Sequence, residues 1–419
     1  MTATAVEKVN ALTKRWLETW AQPGPGSGPD ARASSETGSG ATVLSGAGVW
    51  PLLAFLADGA DDTGRAELAS ALGVPADEAA RAARDILATI ESSAAARIAL
   101  GLWTRREVRV HTAWLANIAP GVHGELTGDA ATDQKRLDAW TSEHTGGLVP
   151  RLPVTLTADI MLVLASALTV EVTWQEPFRP SITETTGEWA DENGQLSVLR
   201  RHTTELRALR VADTPAGRMS ALTVDGDGDV DVVLVLGPED CAPAKVIAAG
   251  TDLAASTGHD RSDPSITHGP NLPVGTPAPG VTVSTVESMT PMDSLSVTTV
   301  PFRVSAHHDL LEHAALFGLR HVSGPGRGHF PGLSDFPLTV DQAAQDAVAV
   351  FTAKGFTAAA VMAFAMMAGS AMRPSSMVRQ ISVTFDRPFA YYAVHRASGL
   401  ILVAGWVGAP DHEVSSGNA

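Results

Sequence analysis

Cysteine is nearly absent: Cys241 stands alone among 419 residues. No disulfide can close within the chain, and no cysteine cluster can hold a metal. Basic residues are also short, with 30 Lys and Arg against 46 Asp and Glu and a net charge of −16. That deficit argues against nucleic acid or an anionic membrane as a partner, because both reward clustered Lys and Arg. The opening MTATAVEKVNALTKRW lacks an apolar core of signal-peptide length, so a cytoplasmic chain is the expectation. Catalytic signatures are missing too: there is no G-x-S-x-G elbow, no H-E-x-x-H and no Walker loop. Leu44-Ser45-Gly46 lacks the first glycine of the elbow, and Gly324, Gly326 and Gly328 fall among loop prolines. No catalytic residue, cofactor or metal is therefore expected. Without an internal repeat, a solenoid or propeller is excluded.

The hydrophobic content, 44%, is that of a soluble globular protein. Val6, Val9, Leu12, Trp16 and Trp20 recur at three or four, which predicts an amphipathic helix over 3–21. Residues 22–41 are rich in Gly, Pro and Ser and read as an exposed loop. Helices are predicted from the N-cap Ser45 through Leu56, over 63–72 with Gly73 as the stop, over 78–91, and over 132–144 before Gly146-Gly147. Strand signals follow at 160–174, 229–236, 281–300, 381–385 and 400–407, with helices again near 242–253 and 308–319. Helices first and strands afterwards predict an α+β fold.

Three segments invite chemistry. Asp225-Gly226-Asp227-Gly228-Asp229-Val230-Asp231 has the spacing of a calcium loop. It puts Val230 and Leu236 where that loop needs its Gly and bidentate Glu, so a tight turn before a strand is expected. His307, His308 and His313 have no carboxylate or cysteine at ligand spacing, and a solvated helix start is expected there. Residues 355–372, GFTAAAVMAFAMMAGSAM, carry no charge. A membrane helix has little support from so many alanines with no hydrophobic flank or cluster of basic residues to anchor it. Ala and Met suit a buried helix; read with period two, Phe356, Ala358, Ala360, Met362, Phe364 and Met366 share one face of a strand. The local pattern leaves helix and strand open.

The C-terminal motifs decide it. Phe385-Asp386-Arg387-Pro388-Phe389, Tyr391-Tyr392, Ser398-Gly399-Leu400-Ile401-Leu402 and Gly405-Trp406-Val407 to Pro410 resemble the closing signature of the serpin family. Asp309-Leu310-Leu311 to Leu316-Phe317-Gly318-Leu319 is similar to a family helix ending in a Leu-Gly pair. Phe330-Pro331-Gly332-Leu333-Ser334-Asp335 resembles the family's F-x-G-(I/L)-S loop, and 340–351 the strand feeding its hinge. Earlier, Leu137-Asp138-Ala139-Trp140 to Thr145-Gly146-Gly147 and Val149 resembles the helix before the central strand. Ala165-Ser166-Ala167 to Trp174-Gln175-Glu176-Pro177-Phe178 resembles that strand with its W-x-x-P-F end, and 45–56 with 60–73 the early helix pair. The resemblance covers about 45–410 and is weakest over 180–300.

The resemblance implies a single-domain α+β serpin fold with three β-sheets, eight or nine helices and an exposed reactive-centre loop at about 355–380. The domain is 45–410, joined by the helix and loop of 1–44 and followed by a tail at 411–419. It implies a suicide inhibitor of serine proteases: the loop is cleaved, acylated and inserted into the central sheet. A non-inhibitory binding or regulatory protein of the same fold is the alternative. The hinge would be Gly355, Phe356, Thr357, Ala358, Ala359 and Ala360, its small residues able to slip between packed strands. Phe356 stands where inhibitory relatives carry Thr or Ser, Thr357 replaces a Glu and Ala353 an acidic residue, and the bulk of Phe356 is expected to slow insertion. The scissile bond would lie among Met367, Ala368, Gly369 and Ser370, or at Met372. That points to an elastase-, chymotrypsin- or subtilisin-like target, since Arg373 precedes Pro374. A sheet-opening latch is implied at Ser45, Ser166 and Gln345, with Gly48 at a fourth position; relatives commonly carry Ser at Ser45, Ser at Gly48, Asn at Ser166 and His at Gln345. The expected partner is a protease only, not nucleic acid or membrane, with the chain a monomer and the family often extracellular.

Overall fold

The computed structural model describes residues 3–22, 40–147, 150–152, 154–157, 160–185, 189–190, 193–256, 263–288, 290–324, 326, 328–356 and 376–411. Among them are eight α-helices: α1 (Ala3–Ala21), α2 (Gly46–Gly59), α3 (Asp62–Leu72), α4 (Ala76–Glu91), α5 (Thr112–Leu115), α6 (Ala130–His144), α7 (Pro243–Ala255) and α8 (Ala314–Phe317). No helix of the described residues is long and apolar enough to cross a membrane.

The predicted apolar face of α1 is buried, with Val9, Leu12 and Trp16 at the core. The buried Asn10 fixes the helix in place: its Nδ2 donates to Gly399 O (2.8 Å) and its Oδ1 accepts the Ile401 N–H (2.9 Å). Residues 3–21 therefore share one core with the C-terminal strands. Ser45 caps α2, accepting the Gly48 N–H at 3.0 Å, which satisfies a donor every helix start leaves orphaned. Beyond the cap, α2 is apolar all round, as a helix wrapped on every side must be; α1, α3, α4 and the strands β4 (Leu162–Val170) and β19 (Leu400–Val407) enclose it. Asp61 caps α3, and Gly73 ends it at φ 71°, a conformation that favours glycine.

Three sheets complete the fold. The first runs β1 (Thr42–Leu44), β19 (Leu400–Val407), β18 (Phe389–His395), β10 (Val230–Leu236), β9 (Gly217–Val224), β8 (Leu209–Thr214) and β11 (Ile266–His268). The second runs β12 (Val281–Ser288), β17 (Ser376–Thr384), β13 (Ser294–Thr299), β7 (Gln195–Thr203) and β6 (Arg179–Glu184). The third runs β3 (His123–Leu126), β2 (Ala96–Arg105), β4 (Leu162–Val170), β15 (Ala343–Phe351), β16 (Gly355–Phe356) and β5 (Val172–Thr173), with β14 (Phe302–Asp309) paired along β15. Three sheets and eight helices bear out the expected α+β fold. Residues 225–229 form the β9–β10 connection. Asp231, at the turn-side start of β10, accepts from the Gly226 N–H and pairs with Arg396, so the segment is a turn before a strand.

Two readings are corrected. The segment 281–300 is two strands, β12 and β13, lying on opposite sides of β17. Residues 308–309 belong to β14, and the helix near 308–319 shrinks to Ala314–Phe317 before Gly318 at φ 68°. Alternation wins over helical period here. Phe302, Val304 and Leu310 are buried while Arg303, Ser305, His307 and Asp309 are exposed, the mark of a half-buried strand. His308 is consequently no solvated helix start. It lies on the inner face, edge-on to Trp16 at 5.0 Å, with Nε2 donating to Val43 O (2.9 Å).

Burial, with His307 and His313 nearby as like charges, pushes the His308 pKa down to about 4. The unfolded chain takes up this proton near pH 6.5, so stability is fully present above that pH. It falls as the pH drops through the window down to about 4, by about 1–3 kcal/mol in all. Urea unfolding at pH 7.5 and pH 4.5 should reveal this loss, and His308→Gln should remove most of it. An equal loss in both proteins would refute the assignment.

Candidate functional site

Gln345 stands at the centre of the third sheet. Its carboxamide spans a gap between three chain segments. Oε1 accepts the Ser45 N–H (2.8 Å), and Nε2 donates both to Ser45 O (3.0 Å) and to Ser166 Oγ (3.3 Å). Ser45 Oγ in turn donates to Leu402 O (2.6 Å) on β19. One fully buried side chain thus ties β15 to the start of α2 and to β4. The three residues expected to form the latch are brought together. The fourth position explains how a glutamine fits where relatives carry histidine. A β-carbon on Gly48 would sit 3.0 Å from the Gln345 Nε2 and 3.4 Å from both serine hydroxyls. Gly48 leaves room for the longer side chain.

The same level of the sheet is where β4 and β15 meet. Among the described residues their parallel register runs from Leu164–Ala343 to Ser166–Gln345. At the other end β16 lies between the two chains: Phe356 pairs antiparallel with Phe351 on one side and with Val172 on the other. Gln345 faces Ser166, and Phe351 shares its level with Val172 across Phe356; the offset is 179 residues in both places. The two chains keep one register at both ends, and Phe356 fills the position of an intervening strand. Between the ends lie residues 167–171 and 346–350, whose buried members include Leu168, Thr169, Val170, Ala347, Ala349 and Val350.

Gly355 is required at its position, since a β-carbon there would collide with the Val172 carbonyl. Phe356 is only 2% exposed. It joins an aromatic cluster built from residues far apart in sequence: Tyr391 at 6.2 Å from its ring, Phe302 at 4.9 Å from Tyr391, Phe351 stacked on Phe302 at 5.2 Å, and Trp174 at 4.9 Å from Phe351. Trp174 Nε1 donates to Thr352 O (3.0 Å), and Trp174 N–H to Lys354 O (2.9 Å). The W-x-x-P-F motif therefore clamps the turn that leads into β16. Thr357, Ala358, Ala359 and Ala360 and the scissile candidates Met367, Ala368, Gly369, Ser370 and Met372 lie outside the described residues.

Past them, β17 is held on both sides, over eight residue pairs by β12 and five by β13. Its Arg379 forks onto Asp293, with Nε and Nη2 at 2.9 and 2.7 Å from Oδ2. Sequence reasoning missed this two-sided anchoring, the burial of Phe356 and the role of Gly48. The period-two face beginning at Phe356 was the one signal available for the second of these.

The family model described as "Serpin (serine protease inhibitor)" matches residues 31–241 and 282–410, most of the chain, so the chain belongs to the serpin family. A sequence comparison with curated proteins gives no match. Solved structures are similar in fold. Human thyroxine-binding globulin complexed with thyroxine has a TM-score of 0.68 at 18% identity, covering 97% of this chain and 100% of that one. Serpin48 of the insect Tenebrio molitor also scores 0.68, at 14% identity over 98% and 99%. Native protease nexin-1 with heparin scores 0.67, at 14% identity over 97% and 98%.

Removing the carboxamide orphans the buried Ser45 N–H and C=O at roughly 1–3 kcal/mol each. Gln345→Ala should therefore destabilise the protein by about 2–4 kcal/mol in urea unfolding. A loss below about 1 kcal/mol would mean that the latch geometry carries little of the stability.

Proposed function

We propose that this chain is a suicide inhibitor of serine proteases, and the observation that carries the proposal is Phe356 seated between β15 and β5. The hinge is docked in the sheet at its first residues, in register with the strands that would receive the rest. Continuing antiparallel from Phe356 opposite Val172, Ala358 falls opposite Val170 and Ala360 opposite Leu168. The small side chains Ala358 and Ala360 then meet Ala349 and Ala347 on the inner face, where bulk would not fit. The expectation that Phe356 slows insertion loses its force, because this ring need not enter the sheet during the reaction.

Met362 would reach the level of Ser166 and Gln345. Insertion beyond Val361 therefore has to part the latch. An inserted strand doubles the spacing between β4 and β15 from about 4.8 Å to about 9.6 Å. The 3.3 Å bond from Gln345 to Ser166 cannot survive that, whereas both bonds from Gln345 to Ser45 can. One lost hydrogen bond is set against a new ladder, each rung worth net on the order of 1 kcal/mol. Burial of Met362, Phe364 and Met366 adds roughly 1.5–3 kcal/mol each. These gains are set against the entropy of ordering the loop, about 1–2 kcal/mol per residue, and they favour insertion once the large apolar side chains are buried.

The register also ranks the scissile candidates. Leu162, the first residue of β4, would face Met366. A strand ending at Met367 or Ala368 fills the sheet, whereas one ending at Met372 would overhang it. A protease acylated at Met367 would travel about 30 Å along the strand direction. Its released product half would stay behind on β17, which two neighbours hold. A small or Met residue before the cut suits an elastase-, chymotrypsin- or subtilisin-like enzyme. Protease nexin-1, similar in fold, has a protease in its name; thyroxine-binding globulin, also similar, is named for binding thyroxine. That second name favours the alternative, a non-inhibitory binding or regulatory protein.

Mixing the protein with elastase-, chymotrypsin- and subtilisin-like proteases and running denaturing gels separates the two. Inhibition gives an adduct that survives denaturant and maps to a cut at Met367 or Ala368. Cleaved protein alone, across the whole panel, rejects the inhibitor reading.

A further inference from the structure

The corner between α2 and α3 holds a cluster that loop insertion does not use. Asp61 caps α3 through Oδ1, which accepts the Gly64 N–H at 2.8 Å. Its other oxygen faces two imidazoles: His321 Nε2 at 2.9 Å and His329 Nδ1 at 3.5 Å. The two rings meet edge to face with centroids 4.6 Å apart. One nitrogen from each and one carboxylate oxygen all lie within 4.8 Å of one another.

Backbone hydrogen bonds fix this arrangement without help from the side chains. Asp61 N–H donates to His329 O (2.8 Å), His329 N–H to Leu338 O (3.1 Å) and Val340 N–H to Val322 O (2.9 Å). The His321 N–H donates to the Glu67 carboxylate at 3.0 Å. A helix cap needs one carboxylate and no histidine, so capping leaves the two rings unexplained. A second observation points the same way. His329 is only 9% exposed, and its Nε2 is buried without a hydrogen-bond partner. Buried polar atoms are satisfied in the great majority of cases, so the packing holds this ring in place at the cost of its Nε2 while its Nδ1 stays beside Asp61.

We propose that Asp61, His321 and His329 form a binding site for a divalent first-row transition metal, with zinc as the physiological occupant. Two imidazoles and one carboxylate suit zinc, cobalt or nickel, whereas calcium and magnesium take all-oxygen shells. Ligand atoms about 2.0–2.2 Å from a tetrahedral ion stand about 3.3–3.6 Å apart. The observed separations, from 2.9 Å to within 4.8 Å, bracket that value. The Gly64 N–H on the non-ligating oxygen orients the carboxylate as second partners of metal ligands do. Asp61 and His321 are about 30% exposed, which gives the ion a path in and leaves its fourth position to water. The bound ion would pin the segment 328–340, which leads into β15, to the start of α3. This proposal is independent of whether the chain inhibits a protease.

The test uses the untagged full chain after treatment with a chelator. Titration with cobalt(II), followed by visible absorption, should give one equivalent with the bands of a four-coordinate site. Calorimetric titration with zinc should give the same stoichiometry, and zinc should raise the melting temperature. His321→Ala and His329→Ala should each weaken binding more than about tenfold and abolish the thermal shift. His307→Ala, in a separate His–Asp pair with Asp346, should change neither. Should an alanine variant fail to fold, His321→Asn, which keeps a donor toward Asp61, should fold and lose the metal. Binding unaffected by both ring substitutions, or no specific cobalt spectrum, would overturn the proposal.

Discussion

A single buried carboxamide ties the third sheet to the helical core. Gln345 holds β15 against the first turn of α2 through the backbone of Ser45, and against β4 through the hydroxyl of Ser166. The bonds differ in kind. Those to Ser45 close both polar ends of the amide on a peptide group that has no water to turn to, and their loss is costly. The one to Ser166 is longer and joins two strands that can be parted. The sheet is therefore firmly attached to the helical core on the β15 side and weakly closed across its middle.

Register makes that weakness directional. The offset of 179 between the two strands is the same at the latch and at the hinge, and Phe356 already occupies the intervening lane. A strand growing from Phe356 needs no re-registration, which would turn every inner side chain outward. The aromatic cluster of Trp174, Phe351, Phe302, Tyr391 and Phe356 holds the top of the lane, and β12 and β13 hold the far end of the loop on β17. Between β16 and β17 the sequence is uncharged over 355–372, with Ala358, Ala359 and Ala360 first and Met362, Phe364 and Met366 later.

Much of this was legible in the residues. The amphipathic face of α1, the Ser45 cap, the Gly73 stop and the closing strands follow from local pattern, and the C-terminal motifs carry the family. The latch residues were assigned by resemblance, and the structure brings them together. What stayed hidden depended on non-local contact. Phe356 looked like an obstacle because its partners, Tyr391 and Phe351, are 35 residues downstream and across a turn. His308 looked solvated because the strand that buries it is recognisable only once β15 lies beside it. The grouping of Asp61 with His321 and His329, some 260 residues away, has no sequence spacing that could betray it.

The central claim is that the segment after Phe356 enters the lane between β4 and β15 in the register Phe356 sets. A crystal structure of the protein after its loop has been cut by a protease tests it most directly. The account predicts Ala358 opposite Val170 and Met362 opposite Ser166, with Gln345 still bonded to Ser45 and released from Ser166. A cut loop lying outside the sheet, or inserted one residue out of that register, would contradict it.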